Sequence, residues 1–239
     1  MLRRPPRECG SAPSPVGGLS GSRLRSALER LLAACTERDR LMVATAPYTG
    51  LRISELLGLT WDDIDFDQGV IRVRAQLSRA HHGAPPQRVR TKTEASVRDV
   101  PLVPQLADLL AEHRHRTPFA ATSDWVFVTA NGTPHGHRNI TRRGLQRAAQ
   151  RAGIDDGTGP ALRNHDLRHC FASHLILDLG LDVVQTSRIL GHASPTITLN
   201  VYTHLFDEAR HMRQIRARMA ASMFAELLIT RRRALPLAC

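Results

Sequence analysis

Cysteine is scarce in this chain of 239 residues, and the cysteines that are present lie far apart. They form no Cys-x-x-Cys pair and match no zinc-ligand spacing, and a His-Glu-x-x-His motif is also missing. The sequence therefore indicates neither a disulfide framework nor a metal site, and we expect a protein of a reducing compartment. The cysteines are Cys9, Cys35, Cys170 and Cys239.

Long apolar runs are missing too. No stretch approaches the roughly 18 uninterrupted apolar residues of a membrane span. The basic start, Met1 to Arg7, leads into prolines and not into the apolar segment of a secretion signal. We therefore expect a soluble, cytoplasmic protein with no membrane partner.

Acidic residues are in the minority, since 22 Asp and Glu face 33 Lys and Arg, which gives a formal net charge of +11. An excess of this size favours a polyanionic partner, most often nucleic acid. Charge alone also fits ribosomal and membrane-surface proteins. The hydrophobic share of 42% is enough for the core of one large domain or two small ones.

Composition divides the chain into a Pro- and Gly-rich segment, 1–21, a folded domain, 22–230, and a basic tail, 231–239. The first segment is predicted to be a disordered leader. Hydrophobic periodicity predicts a mainly α-helical α+β fold with one small antiparallel sheet. The predicted helices cover about 22–35, 37–47, 104–115, 138–152, 166–178, 182–190 and 207–229, and the predicted strands cover 70–75, 88–91, 97–101 and 125–128.

The segment 49–56, Thr-Gly-Leu-Arg-Ile-Ser-Glu-Leu, predicts a glycine turn between two helices. Arg52 would begin the second helix, and Glu55 would share its face one turn later. A carboxylate in that position can hold the guanidinium through charge-assisted hydrogen bonds and leave its remaining N–H donors for a phosphate. Taken in isolation, an ordinary surface ion pair is the simpler interpretation.

The segment 164–174, Asn-His-Asp-Leu-Arg-His-Cys-Phe-Ala-Ser-His, predicts a helix with a basic side. At roughly 100° per residue, His165, Arg168 and His169 lie opposite the apolar residues and away from the core. His174 lies on the apolar side, where a hydrogen-bonded core histidine is the expected structure.

The segment 190–204 begins with Leu-Gly-His-Ala-Ser-Pro and ends with Val-Tyr-Thr-His. Ser194 and Pro195 have the character of a helix N-cap and first turn, so His192 would lie in the turn before a short helix that ends near Tyr202. The chain has two tyrosines, and Tyr48 closes an apolar helix, which favours a structural role for it. A lone tyrosine usually packs, so any role of Tyr202 in chemistry depends on its neighbours.

Taken together and in this order, these motifs resemble the signature segments of the tyrosine recombinase (phage integrase) family, over about residues 22–210. The resemblance implies the catalytic domain of an enzyme that breaks and rejoins DNA. It identifies the catalytic residues as Arg52, His165, Arg168, His192 and the nucleophile Tyr202, with Glu55 and His169 supporting them. The family also uses a lysine on a β-hairpin, and Lys92, within Arg-Thr-Lys-Thr, matches it; the sequence alone would favour a solvated turn lysine.

The resemblance further implies a site-specific recombinase that works on double-stranded DNA as a homo-oligomer, a tetramer, without metal or cofactor. It implies attack by Tyr202 on the scissile phosphate and a covalent 3′-phosphotyrosine. Relatives usually carry an N-terminal DNA-clamping domain, which the short leader cannot supply, so we expect that domain to be absent. Two alternatives are a type IB topoisomerase-like enzyme and a catalytically idle DNA-binding remnant of a mobile element.

An apolar stripe of Met212, Ile215, Met219 and Met223 follows the nucleophile at helical spacing. It either packs on its own domain or docks on a neighbouring protomer, as C-terminal segments do in the family.

Overall fold

A computed structural model of the chain describes residues 21–78, 85–91, 93–203 and 215–221. Residues 1–20 of the predicted leader, Lys92 and the tail 231–239 lie outside these ranges, as do Met212 and Met223. The predicted domain boundaries therefore stay predictions. The chain divides into two compact units, Met1–Thr198 and Leu199–Cys239. Within the described ranges, no helix combines the length and apolar character needed to cross a membrane.

The described part of the chain is mainly helical. A π-helix, Ile140–Gln146, and 3-10 turns at Trp61–Asp63 and Glu94–Ser96 accompany the α-helices. The α-helices are α1 (Gly21–Ala34), α2 (Glu37–Thr49), α3 (Ile53–Leu56), α4 (Pro104–Arg116), α5 (His137–Asn139), α6 (Arg147–Arg151), α7 (Asn164–Leu177), α8 (Val183–Leu190) and α9 (Pro195–Tyr202).

Short antiparallel strands form two small sheets. A three-stranded sheet has the order β1-β2-β5, with Ile71 opposite Val100 in the register, and β3 pairs with β4 in a two-stranded sheet. Ile71 and Val100 are fully buried, so the larger sheet contributes one face to the core. The strands are β1 (Ile64–Asp65), β2 (Val70–Val73), β3 (Ala75–Leu77), β4 (Arg88–Arg90) and β5 (Arg98–Pro101).

Helices α2 and α7 pack against each other within the first unit. Helix α2 begins at the N-cap Thr36, whose hydroxyl accepts a hydrogen bond from the Asp39 N–H, and ends at Gly50 with a left-handed φ of 61°. A Cβ at Gly50 would lie 2.3 Å from a ring carbon of Phe171 on α7. Glycine is therefore required here both by the backbone turn and by the close approach of α7.

Most of the predicted helices are confirmed, with ends that agree to within about two residues. The predicted mainly helical α+β fold with a small antiparallel sheet is confirmed, except that the strands form two sheets and not one. The segment 70–75 is interrupted at Arg74, and its two halves pair with different strands. The predicted strand 125–128 is also wrong, since Trp125 bridges to Thr60 and Val128 to Pro134 without forming a ladder. Of the helix predicted over 207–229, only 215–221 is described, and residues 215–220 are helical.

Candidate active site

Arg52 and Glu55 form the ion pair that their spacing predicted. Gly50 ends α2, and α3 begins directly after Arg52, so the two side chains meet across one turn. Arg52 Nη1 donates to Glu55 Oε1 over 2.8 Å, and the Arg52 backbone N–H donates to Glu55 Oε2 over 2.9 Å. Glu55 is 1% exposed, so the pair is not the ordinary surface pair that isolated sequence reasoning favoured.

Glu55 has a second arginine partner, Arg98 on β5, which sequence reasoning missed. Arg98 Nη2 donates to Glu55 Oε2 over 2.9 Å, and Arg98 Nη1 lies 3.2 Å from Oε1. Burial by itself would raise the pKa of Glu55, but the hydrogen bonds and charge of Arg98, with Arg52, outweigh it and lower that pKa. Glu55 is therefore held as a carboxylate inside the protein.

Arg168, on α7, is buried, which contradicts the prediction that it points away from the core. Its Nη1 donates to the Gly50 carbonyl over 2.6 Å, and its Nη2 donates to the Leu190 carbonyl over 2.5 Å. A helical wheel of α7 alone does not show this burial, because the ends of α2 and α8 also pack against the side of α7 that carries Arg168. Arg168 thus connects the end of α2 to the end of α8.

His165 and His169 lie one turn apart on α7, and their ring centroids are 4.4 Å apart in an edge-to-face arrangement. His165 keeps part of its ring exposed, yet partial loss of hydration and the charge of Arg168 lower its pKa. Burial and the neighbouring His165 lower the pKa of His169 to about 4. His174 was predicted to be a core histidine and is not: it is exposed, and its Nδ1 lies 2.8 Å from Asp178 Oδ2.

His192 lies directly after the end of α8. Gly191 adopts a left-handed φ of 67°, and the His192 N–H donates back to the Ser187 carbonyl, which fixes the turn. The imidazole Nδ1 lies 2.8 Å from the hydroxyl of Thr198, a buried residue that sequence reasoning did not single out. Burial and the charges of Arg168 and Arg52 lower the pKa of His192 to about 4.

These separate segments meet at one pocket of about 380 Å³. Thr91 and Thr93, which flank Lys92 in the chain, also line this pocket, although Lys92 itself lies outside the described residues. The sequence-predicted residues that line it are Arg52, Glu55, His165, Arg168 and His192.

Tyr202 is the last residue of α9 and belongs to the second compact unit. Helix α9 begins as predicted, since the Ser194 hydroxyl accepts from the Thr196 N–H over 3.2 Å. The Tyr202 side chain is buried, with 4% of its surface exposed, whereas Tyr48 is 48% exposed. The structural role predicted for Tyr48 therefore stays a prediction.

A larger groove of about 720 Å³ lies elsewhere on the first unit. It is lined mostly by apolar side chains such as Leu28, Phe171 and Leu175. The smaller pocket is the better candidate site, because phosphate chemistry needs the cations and histidines that line it. Among the residues that the structure describes, no cluster of three His, Cys, Asp or Glu side chains is placed to hold a metal ion.

Residues 24–209 match the phage integrase family. A tyrosine recombinase XerC-like protein of Caldanaerobacter subterraneus is 31% identical over 182 residues, which cover 68% of this chain and 44% of that protein. The tyrosine recombinase XerD of Brucella suis is 29% identical, over 88% of this chain and 57% of its own length. The chain thus spans about half the length of these relatives.

The fold is similar to those of solved recombinases. The Tn1549 transposon integrase, determined in complex with transposon right end DNA, is 26% identical, with a TM-score of 0.68 over 88% of this chain and 68% of that structure. The XerA recombinase is 25% identical, with a TM-score of 0.59 over 90% of this chain and 67% of that structure.

Proposed function

Because this chain belongs to the phage integrase family, we propose that it is a site-specific DNA recombinase that cleaves and rejoins DNA through a covalent 3′-phosphotyrosine. One observation carries the proposal: Arg52, Arg168 and His192, from three distant segments, line one pocket together with His165. Such a set of cations and hydrogen-bond donors matches the charge that develops on a phosphate during transfer.

The pocket is suited to hold the non-bridging oxygens of a scissile phosphate. A guanidinium has five N–H donors, and the bonds of Arg52 to Glu55 and to the Gly191 carbonyl use only two of them. The Arg52 side chain is 36% exposed, so the remaining donors can reach a ligand. Arg168 adds a second fixed positive charge beside it, and the Nδ1 bond of His192 to Thr198 leaves Nε2 for the phosphate.

In the proposed reaction the Tyr202 oxygen attacks the phosphorus in line with the leaving 5′ oxygen. One P–O bond forms to the tyrosine as the P–O5′ bond breaks, so the number of phosphodiester bonds is unchanged and no ATP is needed. The phenolic proton leaves Tyr202 with the help of His165, which is neutral near pH 7 because its pKa is lowered. The return attack by a 5′-hydroxyl of another strand reverses these steps and completes recombination.

The departing 5′ oxygen needs a proton, and Lys92 is the proposed donor. The lining of the pocket by Thr91 and Thr93 supports this assignment, because the residues on either side of Lys92 are at the site. Glu55 and His169 are proposed to support the reaction without contacting the phosphate, Glu55 by holding Arg52 and His169 by packing against His165.

Double-stranded DNA is the proposed partner, bound in the cytoplasm by a homotetramer. The net charge of +11 supports an anionic partner. Exposed arginines are also concentrated from α5, through the π-helix, to the start of α6, at Arg138, Arg142, Arg143 and Arg147. The related Tn1549 integrase was solved in complex with DNA.

The proposal is tested with a pool of nicked duplex oligonucleotides whose sequence is randomised around the nick. A nick lets the short 5′-hydroxyl fragment diffuse away after cleavage, so the covalent protein–DNA adduct accumulates and the preferred sequences can be read from it. We expect a denaturation-resistant adduct. Its absence, with DNA binding intact, would indicate a catalytically idle remnant.

A second assay then separates the two enzymatic alternatives. Duplexes that carry the selected sequence should exchange strands between two DNA molecules if the protein is a recombinase. Relaxation of supercoils without strand exchange would instead indicate a topoisomerase-like enzyme.

A further inference from the structure

Arg98 is an almost fully buried cation beside the pocket, and no sequence motif pointed to it. Its side chain is 5% exposed. Besides its two bonds to Glu55, Arg98 Nε donates to the Ile189 carbonyl over 2.7 Å and Nη1 donates to the Ser96 carbonyl over 3.1 Å. A buried guanidinium with this many partners has one available orientation.

The end of α8 is held by three arginines from three separate segments of the chain. Arg98 bonds the Ile189 carbonyl, Arg168 bonds the Leu190 carbonyl, and Arg52 bonds the Gly191 carbonyl over 2.8 Å. These are consecutive carbonyls at the negative end of a helix, where cations are stabilised. The next residue in the chain is His192, so the same bonds fix where the histidine turn lies relative to both pocket arginines.

The fit between Arg98 and this turn is close. A Cβ added at Gly191 would lie 2.8 Å from Arg98 Nη1 and 3.1 Å from the Ala95 carbonyl. Arg98 therefore lies directly against the backbone of the turn. A displacement of the Arg98 guanidinium would be transmitted to the backbone of Gly191 and to the ring of His192 after it.

Charge gives Arg98 a second effect on the site. Glu55 is one negative charge between two guanidinium groups, and it bonds both. With Arg98 in place, the three groups together carry a net positive charge, so Glu55 orients Arg52 without cancelling its attraction for an anion. Without Arg98, Glu55 would have Arg52 as its remaining arginine partner among the contacts described, and the pair would be neutral.

We propose that Arg98 is a positioning residue of the phosphate site, which holds Glu55 and the end of α8 so that Arg52 and His192 meet the scissile phosphate together. This inference rests on the proposed function of the pocket. Arg98 does not contact the phosphate in this account, and it acts through Arg52 and His192.

The test compares Arg98→Lys with the unmodified protein in single-turnover adduct formation on a nicked duplex selected from the randomised pool. Lysine keeps the charge but cannot bond Glu55 and the Ile189 carbonyl with one planar fork. We expect the cleavage rate to fall by about a hundredfold, as for a small misplacement of reacting groups. Affinity for the same duplex should change by less than about twofold, because DNA affinity comes mainly from the many backbone contacts.

The matched control is Arg72→Lys. Arg72 lies on β2, the strand that pairs with β5, and forms an ion pair with Asp65 away from the pocket lining. The Arg72→Lys variant should form the adduct at the same rate as the unmodified protein. A rate for Arg98→Lys equal to that of the control, or an affinity loss as large as the rate loss, would overturn the proposal. So would a lysine variant that is unfolded at the assay temperature, because Arg98 would then support the fold and not the site.

A double-mutant cycle tests the route through Glu55. We expect Arg98→Lys with Glu55→Gln to cleave no more slowly than the slower of the two single variants, because both remove the same support of Arg52. Multiplied losses would contradict the shared route.

Binding of inorganic sulfate provides a readout that does not depend on cleavage. The His192 ring resonances should shift on sulfate binding in the unmodified protein, and more weakly in Arg98→Lys. If the unmodified protein neither binds sulfate nor forms adducts, the proposed function fails. If it does both and Arg98→Lys behaves identically, only the role of Arg98 fails.

Discussion

The imidazole Nδ1 of His192 lies 2.8 Å from the hydroxyl oxygen of Thr198, which is fully buried. A histidine whose one nitrogen is engaged in this way has a defined ring orientation, and its other nitrogen is directed to its function. Thr198 is thus expected to decide how His192 meets a phosphate.

Thr198→Val should slow adduct formation by about tenfold, because the isosteric side chain fills the space but cannot bond the ring. Thr198→Ser keeps the hydroxyl and should retain most of the rate. The control is Thr196→Val on the exposed side of α9. Single-turnover rates on a nicked duplex measure all three, and equal rates for Thr198→Val and Thr196→Val would show that the hydroxyl is unimportant.

The DNA-free protein should lose stability in mild acid. The pKa values of His169 and His192 are lowered to about 4 by burial and by nearby positive groups. The unfolded chain therefore takes up protons near its ordinary histidine pKa of about 6.5, while the folded chain does not. The free energy of unfolding therefore has its full value above about pH 6.5. It decreases as the pH drops from about 6.5 towards 4, by at most about 1.4 kcal/mol per pH unit for each histidine.

Thermal unfolding at about pH 7.5 and about pH 5 measures this loss. Sulfate in the pocket favours protonated His192, so it should reduce the loss relative to chloride at the same ionic strength. His192→Gln should show a smaller loss and a smaller sulfate effect. A melting temperature that does not depend on pH over this range would argue against the neutral histidine cluster.

Lys92 can be tested by changing the leaving group. Lys92→Ala should slow cleavage of an ordinary nicked duplex strongly, because the 5′ oxygen leaves without a proton. A duplex with sulfur in place of that bridging 5′ oxygen should be cleaved at nearly the unmodified rate, since a thiolate leaves readily unprotonated. Arg52→Ala, which removes a phosphate ligand, should be slow on both substrates. Failure of sulfur to rescue Lys92→Ala would remove Lys92 from the donor role.

Cleavage should continue in excess EDTA. Arg52, Arg168 and His192 supply the positive charge and the donors that a divalent cation would otherwise supply. Adduct yields with EDTA and with magnesium should agree. Loss of cleavage on chelation, restored by magnesium, would contradict this part of the mechanism.

Local motifs predicted those parts of the site that lie close together in sequence. The Arg52–Glu55 pair is one turn long, and a spacing of three residues is enough to specify it. Arg98 and Thr198 could not be found in this way. Arg98 is 43 positions away from Glu55 in the sequence. Strand pairing brings the two residues together, and no local sequence pattern specifies that pairing.

The wrong prediction for Arg168 has the same physical origin, since it also depends on contacts between distant segments. Arg168 was assigned to an exposed side because a helical wheel considers one helix, whereas α7 is also covered by α2 and α8. Side-chain exposure would also have been a poor guide to the nucleophile, since Tyr48 is exposed and Tyr202 is buried. The selection of Tyr202 came from its position after the histidine turn, and its role as nucleophile remains a proposal.

The most direct test is to identify the residue that becomes covalently joined to DNA, by mass spectrometry of the adduct after protease and nuclease digestion. We expect a nucleotide attached through phosphate to Tyr202, no adduct in Tyr202→Phe at nearly unchanged DNA affinity, and normal yield in Tyr48→Phe. An adduct that maps to Tyr48, or that persists in Tyr202→Phe, would contradict it.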